Sequence, residues 1–152
     1  MSILNFEAMK IQIINKSPFP LPSYKTGGSA GMDIHANLET QITIPSGEYQ
    51  LIPTGIYLSL PDDMECQVRP RSGLALKQGI TVLNAPGTID SDYRGEIGVI
   101  LINHAKRAVA INPGDRIAQI VFCPIVKVTL DEVLDLDSSS RGENGFGSTG
   151  VI

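Results

Sequence analysis

Short segments of alternating apolar and polar residues run through most of the chain. Prolines at positions 45, 53, 61 and 70 separate the first of these segments. Alternation with a period of two, interrupted by regular turn residues, is typical of antiparallel β-strands. The apolar positions that define the segments are Ile42/Ile44, Tyr49/Leu51, Ile56/Leu58/Leu60, Cys66/Val68, Ile80/Val82, Val109/Ile111 and Val126/Val128/Leu130. With the apolar runs at 97–102 and 117–122, they predict about ten short strands.

One segment, residues 72–79, has a helical pattern, with Ser72 as the predicted N-cap and Gly79 as the residue that follows the helix. Many short strands with almost no helix favour an all-β fold, a distorted jelly roll or β-barrel-like sandwich, over a parallel α/β sheet. The run 97–102 is apolar on both faces. We therefore expect a second sheet or another subunit to cover each side of it.

The predicted domain covers residues 1–136, because a chain of 152 residues suits a single domain with its own core. Residues 137–152 are rich in serine and glycine, which predicts a flexible C-terminal arm. Such a tail is usually plain disorder. Arg141 and Phe146 favour another interpretation, an arm that closes on an active site, because a guanidinium and an aromatic ring suit an anion attached to a flat group.

The charge balance limits the partners. Twelve Lys and Arg against sixteen Asp and Glu give a net charge of −4, so we expect binding to neither nucleic acid nor an anionic membrane. A polyphosphate ligand would need locally placed arginines and a divalent cation. No apolar stretch approaches the roughly 20 residues that span a bilayer. Because the first residues also lack the features of a signal peptide, we expect a cytoplasmic protein.

The two cysteines, Cys66 and Cys123, lie in strand-like contexts and form no CxxC pair. We expect buried free thiols in a reducing compartment, with a disulfide or a reactive thiol as the alternative.

Arg71, Ser72 and Gly73 lie where a predicted strand ends and the short helix begins. Free backbone N–H groups, a hydroxyl and a guanidinium at that point suit an anion, and phosphate above all. An ordinary strand-to-helix turn with a solvated arginine is the alternative.

Residues 84–96 contain the densest set of functional groups in the chain. On a strand, Asp90 and Asp92 would share one face, and Ser91 and Tyr93 the other. A carboxylate that accepts a proton from water is what hydrolysis of a phosphoanhydride needs. A polar hairpin with Asx turns is the competing interpretation.

Four isolated polar residues carry weaker signals. Asp33 follows a glycine-rich turn, where an aspartate is most often a turn residue. Gln119 interrupts an apolar strand and needs a hydrogen-bond partner if buried. His35 and His104 show no metal-ligand spacing, so we expect structural or surface roles.

Five segments, taken in order, resemble the motifs of the trimeric dUTPases, the deoxyuridine triphosphate nucleotidohydrolases. The segments are residues 30–33, 69–75, 84–96, 113–119 and 141–150. Any one of them would be a weak signal, but five in order at the expected spacings are specific. The resemblance spans nearly the whole chain.

This resemblance implies a β jelly roll that assembles as a homotrimer, with three active sites at subunit contacts. It also implies an enzyme that hydrolyses dUTP to dUMP and pyrophosphate with Mg²⁺. Such an activity keeps uracil out of DNA and supplies dUMP for thymidylate synthesis.

The resemblance further implies roles for the residues around the phosphates. Asp90 would orient and deprotonate the water that attacks the α-phosphorus. Arg71, Ser72 and Gly73 would hold phosphate oxygens, with Gln119 nearby. Asp33 would act on the metal side through water, while the triphosphate itself binds Mg²⁺ directly.

For the nucleoside, the resemblance implies a hairpin pocket built from Asn84 and the backbone between Thr88 and Gly98, which includes Ile89. Main-chain groups there would complement the polar edge of uracil and refuse cytosine, because an unmatched polar edge is costly in a closed pocket. Tyr93 would lie against the sugar and exclude a 2′-hydroxyl.

In the arm, Phe146 would stack on uracil and Arg141 would act as an arginine finger. Ser148 and Thr149 would contact the terminal phosphate. Asn144 stands where the family often has glycine, which we expect to change at most the rate of closure.

Two rival functions remain open. A deoxycytidine triphosphate deaminase of the same fold would need a glutamate to activate water at the base, and Glu96 is the only acidic candidate near the end of that hairpin. A non-catalytic trimeric module that binds nucleotide is the second rival.

Overall fold

The computed structural model describes residues 9–144, which form eleven strands and one short helix. The all-β prediction is confirmed. The strands are β1 Gln12–Asn15, β2 Met32–His35, β3 Ile42–Ile44, β4 Tyr49–Pro53, β5 Ile56–Ser59, β6 Met64–Arg69, β7 Ile80–Val82, β8 Gly87–Ile89, β9 Gly98–Asn103, β10 Val109–Ile111 and β11 Arg116–Pro124; the helix α1 is Ser72–Gln78.

The strands pair into four antiparallel sheets. The largest has the order β2-β11-β6-β8, and a second has the order β4-β9-β7. Two-stranded sheets, β1-β5 and β10-β3, complete the set. The described strands do not close into a barrel, so the architecture is a layered, jelly-roll-like sandwich.

The core lies between these sheets and consists of one face of each strand. Val99 and Leu101 of β9 are fully buried, as are Ile117 and Ile120 of β11. Each such side chain stabilises the fold by roughly 1.5–3 kcal/mol. Cys66 belongs to the same core, and burial raises the pKa of its thiol to about 12. Cys66 and Cys123 are both free thiols, as predicted, although Cys123 is only half-buried.

The second face of β9 is covered only in part. Ile100 and Ile102 are half-buried and pair with Leu51 and Tyr49 of β4, each of which is 63% exposed. One chain therefore covers one side of the apolar run 97–102. Residues 9–144 cover the other side only in part.

The helix begins one residue earlier than predicted, at the residue that was expected to be its cap. Arg71 has an extended backbone, φ −98° and ψ 128°, and is the N-cap, so the prediction that Ser72 fills this position is wrong. Ser72 is instead the first helical residue. Gly79 ends the helix as predicted, with φ 67° and its N–H donating to Ala75 O at 3.0 Å. This left-handed conformation explains why glycine stands there.

The predicted strand over Val126, Val128 and Leu130 is absent. After Ile125, whose N–H donates to Asp63 O at 2.9 Å, residues 126–136 pair with no described strand of their own chain. The apolar side chains of this C-terminal segment, Val126, Val128, Leu130, Val133, Leu134 and Leu136, are all more than half exposed. The alternation is present in the sequence, but a strand also needs a hydrogen-bonded partner, and none of the described strands pairs with this segment.

None of the helices among residues 9–144 is long and apolar enough to cross a membrane.

Candidate active site

A cluster of one carboxylate and two guanidiniums joins β2, β11 and the start of the helix. Arg71 Nε donates to Asp33 Oδ1 at 2.8 Å, and Arg116 Nη1 donates to Asp33 Oδ2 at 3.0 Å. Arg71 Nη1 also donates to the backbone O of Arg116 at 3.0 Å. The Asp33 side chain is only 17% exposed. The cluster carries one surplus positive charge in a chain that is negative overall.

The other two predicted phosphate-binding residues lie beside this cluster. Ser72 and Gly73 form the first turn of the helix and are exposed. No heavy atom lies within 4 Å of a Cβ built on Gly73, so the space above its backbone is open. A ligand can therefore approach these N–H groups closely.

Gln119 has the hydrogen-bond partner that its position in an apolar strand requires. Its Nε2 donates to the carbonyl O of Pro70 at 2.9 Å. The side chain fits because Gly31 has no Cβ, which would overlap the amide oxygen of Gln119. In the sheet, Gln119 lies opposite Asp33 on one side and Arg69 on the other. The three side chains therefore share one face of the sheet.

His35 lies beside the cluster but is held by packing. Its ring stacks on Phe19 with 5.7 Å between centroids. Burial lowers the pKa of His35, and the nearby Asp33 carboxylate opposes that shift. These contacts agree with the structural role expected for this residue.

A second group of predicted residues surrounds a cavity of about 290 Å³ at the loop between β8 and β9. The predicted hairpin does not form, because β8 pairs with β6 while β9 pairs with β4 and β7 in another sheet. The site is called the hairpin cavity below, after the predicted segment. Five of its lining residues were predicted for base, sugar or catalysis, and three were not. The lining residues are Thr88, Ile89, Asp90, Tyr93 and Gly98, together with Leu51, Glu96 and Ile100. The structure thus brings most of the predicted hairpin residues together.

The missed residues Leu51 and Ile100 face each other across the β4–β9 pair. Leu51 fits because Gly98 has no Cβ, which would lie 2.6 Å from Leu51 Cδ1. Alternation along each segment places both side chains on one face. The register between the strands, which brings them to the cavity, is not visible in the sequence.

Asp90 lies in the turn that follows β8, and it is exposed to solvent at the cavity. The backbone N–H of Tyr93 donates to Asp90 O at 3.2 Å. The strand ends at Ile89, so Asp90 and Asp92 do not share the face of a strand. Asp92 lines a different concavity, with Asp62 and Lys127. Asp90 also borders that concavity, but of the two carboxylates only Asp90 lines the hairpin cavity.

The Tyr93 side chain packs back on the loop that contains it. Its hydroxyl donates to Glu96 O at 2.9 Å, and its ring passes so close to Gly95 that a Cβ there would overlap the ring. Arg94 supports the same turn, because its Nη1 donates to Ser91 O at 2.6 Å and to Tyr93 O at 2.9 Å. The loop between β8 and β9 is therefore stabilised by hydrogen bonds from its own side chains.

The Glu96 side chain links the loop before β9 to the turn between β4 and β5 by hydrogen bonds. Its Oε1 accepts hydrogen bonds from the backbone N–H groups of Thr54, at 3.1 Å, and Gly55, at 2.7 Å. A carboxylate oxygen held by two amides is a structural anchor, and protonation would weaken both contacts. The geometry thus favours a structural role for Glu96 over that of a water-activating base.

The remaining predicted residues lie elsewhere or outside the described part. Asn84 is exposed in the turn before β8 and does not line the hairpin cavity. Arg141 is exposed, and its Nε donates to Asn144 O at 2.8 Å within its own segment. Phe146, Ser148 and Thr149 lie outside the described residues. Among residues 9–144, no group of three or more His, Cys, Asp or Glu side chains is placed to hold a metal ion.

The chain resembles solved structures along nearly its whole length. The dUTPase of Staphylococcus bacteriophage 80alpha, solved with dUpNHpp, superposes with a TM-score of 0.84 at 26% identity, covering 93% of this chain and 99% of the phage protein. A mutant dUTPase from phage phi11 of S. aureus, solved with a structural Mg(II) ion, superposes with a TM-score of 0.76 at 24% identity, covering 86% of this chain and all of the other. The fold and the arrangement of its polar residues define a jelly-roll protein of the dUTPase class.

Curated proteins and a family model agree with the structural match. The deoxyuridine 5′-triphosphate nucleotidohydrolase of Fusobacterium nucleatum subsp. nucleatum is 51% identical over 142 residues, which cover 93% of this chain and 97% of the relative. The deoxyuridine 5′-triphosphate nucleotidohydrolase of Desulfotalea psychrophila is 56% identical over 131 residues, which cover 86% of this chain and 87% of that relative. The dUTPase family model matches residues 17–150. The chain belongs to the dUTPase family and is an enzyme of that family.

Proposed function

We propose that this enzyme hydrolyses dUTP to dUMP and pyrophosphate by attack of water on the α-phosphorus. The observation that carries the proposal is the hairpin cavity with Asp90 exposed at it. Its volume of about 290 Å³ is near the lower end of the roughly 300–1,000 Å³ typical of ligand sites. A nucleoside held there would place its phosphates outside the cavity.

The cavity suits a base that is read by main-chain groups. Thr88, Ile89 and Gly98 line its wall, where their backbone N–H and C=O groups would meet the base, and the apolar residues Leu51 and Ile100 line it as well. Uracil presents two acceptors and one donor along one edge. A backbone that matches this pattern refuses cytosine, because a mismatched polar edge in a dry pocket loses hydrogen bonds to both partners.

Asp90 acts as the general base in this proposal. Its carboxylate accepts a proton from water as the water oxygen bonds to the α-phosphorus. The bond from that phosphorus to the bridging oxygen breaks, and pyrophosphate leaves with the electron pair. Asp90 is exposed at the cavity, so water reaches it before the nucleotide closes the site. A well-placed base contributes roughly 100- to 10,000-fold to such a step.

The cluster of Arg71, Arg116 and Asp33 would meet the phosphates, with Ser72, Gly73 and Gln119 beside it. Arg71 uses two of its five N–H groups within the described part of the chain, which leaves three that an anion could accept from. In the arm, Arg141 would add a further guanidinium, Phe146 would stack on the base, and Ser148 and Thr149 would reach the terminal phosphate. These contacts would hold a triphosphate without a basic surface.

The donors at this cluster fit Mg²⁺ that arrives with the triphosphate. Two guanidiniums repel a bare cation, and both Asp33 oxygens already accept hydrogen bonds. Each oxygen keeps a lone pair for a water, so the predicted role of Asp33 on the metal side, through water, stays a prediction. When bound, Mg²⁺ neutralises charge on the phosphate chain.

A homotrimer with shared sites would cover the surfaces that one chain leaves open. The exposed face of β4 and β9 continues into the hairpin cavity through Leu51 and Ile100. The C-terminal segment, residues 126–136, is rich in apolar side chains that its own chain does not cover. A neighbouring subunit would cover both surfaces. The domain ends near residue 136, and its arm, residues 137–152, would reach the active site of that neighbour.

In the cell, this reaction would keep uracil out of DNA and supply dUMP for thymidylate synthesis. We place that work in the cytoplasm.

Replacing Gly95 with alanine tests the proposed role of Tyr93 against the sugar. The new Cβ would overlap the Tyr93 ring and push it from its present position. We expect the ratio of kcat/KM for dUTP over UTP to fall roughly tenfold, because the 2′-hydroxyl is no longer excluded. Gly27→Ala, which adds a Cβ in open space at a residue with no proposed role, is the control for this ratio. An unchanged ratio in Gly95→Ala would remove Tyr93 from sugar selection.

The function itself is tested by incubating the protein with dUTP, dCTP and UTP in Mg²⁺ and measuring pyrophosphate, dUMP and ammonia. We expect pyrophosphate and dUMP from dUTP, and no ammonia. Ammonia released from dCTP would support the deaminase. Tight nucleotide binding without turnover would support the non-catalytic module.

A further inference from the structure

Arg116 has no assigned role, yet it contacts the predicted phosphate-binding arginine in two ways. Its guanidinium binds Asp33 Oδ2 at 3.0 Å, on the carboxylate whose other oxygen binds Arg71 Nε at 2.8 Å. Its backbone carbonyl O accepts from Arg71 Nη1 at 3.0 Å. One residue therefore supports Arg71 both directly and through Asp33.

Both contacts fix one edge of the Arg71 guanidinium. Nε and one Nη1 hydrogen are taken, and the Nη2 hydrogens have no partner in the described part of the chain. Arginine loses considerable side-chain entropy when it is ordered. An Arg71 that is already held in place offers its free edge to an anion without losing that entropy at the moment of binding.

The charges give Arg116 a second effect. Asp33 with Arg71 alone is a neutral pair, which attracts an anion weakly. The second guanidinium leaves a net charge of +1 on three side chains. Arg116 is the most exposed of the three, with a side-chain exposure of 51% against 24% for Arg71.

We propose that Arg116 is a positioning residue for the triphosphate, acting through Asp33 to hold the Arg71 guanidinium ready for a phosphate group. The main task of Asp33 is then to align two arginines. This inference rests on the proposed function, since it assigns a role within the phosphate site of that reaction.

Arg116→Gln removes the charged contact and leaves the backbone carbonyl. We expect KM for dUTP to rise about tenfold with kcat changed less than threefold, as for loss of a charge-assisted hydrogen bond that orders a binding group. Arg116→Lys restores the charge beside Asp33 and should recover most of the loss. Arg107→Gln removes the same charge from an exposed residue elsewhere and should leave KM unchanged.

Binding of dUpNHpp, measured by calorimetry with EDTA and again with Mg²⁺, separates the arginines from the metal. We expect Arg116→Gln and Asp33→Asn to weaken binding by similar factors with and without Mg²⁺. A defect of Asp33→Asn that vanishes in EDTA would assign Asp33 to the metal and overturn the proposal.

A double-mutant cycle tests whether Arg116 acts through Asp33. In the Asp33→Asn background, Arg116→Gln should weaken dUpNHpp binding less than twofold further, because the shared partner is already gone. A full tenfold loss in that background would mean that Arg116 contacts phosphate by itself, and the proposal fails. Equal thermal melting of all variants shows that each is folded, and Arg116→Met, which also removes the charge, replaces Arg116→Gln if that variant does not fold.

The unmodified protein is measured first. If it neither turns over dUTP nor binds dUpNHpp, the proposed function fails. If the unmodified protein hydrolyses dUTP and binds dUpNHpp, and Arg116→Gln has the same KM and affinity, only the proposed role of Arg116 is wrong.

Discussion

Asp90→Asn should bind dUTP as the unmodified enzyme does and hydrolyse it roughly 100- to 10,000-fold more slowly. The amide has nearly the same shape as the carboxylate but accepts no proton from water. Because Asp90 is exposed in a turn and its side chain makes no hydrogen bond to residues 9–144, the exchange should leave the structure unchanged. Single-turnover hydrolysis and calorimetric binding of dUpNHpp measure the two effects separately.

Asp92→Asn is the matched control. Asp92 is an exposed carboxylate in the same turn, and it lines a concavity other than the hairpin cavity. This variant removes the same charge at almost the same place, so its rate should stay within about twofold of the unmodified enzyme. Two outcomes would count against Asp90 as the base: loss of binding instead of turnover, or an equal loss of rate in both variants.

Truncation after Ser140 should lower turnover roughly 1,000-fold, in the range that other phosphoryl-transfer enzymes lose with an arginine finger. The deletion removes Arg141 and the rest of the fifth motif. The described residues that it removes, 141–144, are exposed and lie outside the core. Stacking on the base and ion pairing with the phosphates should both be lost, so KM should rise as well.

A second truncation, after Gly150, keeps the whole fifth motif and removes only the last two residues. Its rate should match that of the full chain. Light scattering and thermal melting of both truncated proteins check that assembly and fold are intact. An unaltered rate after removal of residues 141–152 would exclude the arm from the reaction.

The local parts of the fold could be predicted from the sequence, because they depend on local chemistry. Gly79 ends the helix since a left-handed residue there needs no Cβ. The apolar alternation of β5 and β6 matches their burial. The cap of the helix was missed by one residue, because the extended backbone of Arg71 depends on β6, to which it is joined, and on its contact with Asp33.

The contacts that build the site are the part that the sequence alone does not show. Arg116 and Asp33 are 83 residues apart, and nothing local marks them as partners. Leu51 reaches the hairpin cavity only through the register of β4 on β9. The motifs placed Thr88 and Tyr93 near each other, but the cavity between them follows from strand pairing. Pairing depends on the whole chain.

The exposed apolar residues of the C-terminal segment, residues 126–136, affect how the thermal stability of this protein should be reported. If three copies bury that segment, as proposed, separating the copies returns six large aliphatic side chains of each copy to water. Unfolding is then coupled to dissociation, and the midpoint of a thermal melt rises with protein concentration. A melting temperature for this enzyme should therefore be given together with the protein concentration at which it was measured.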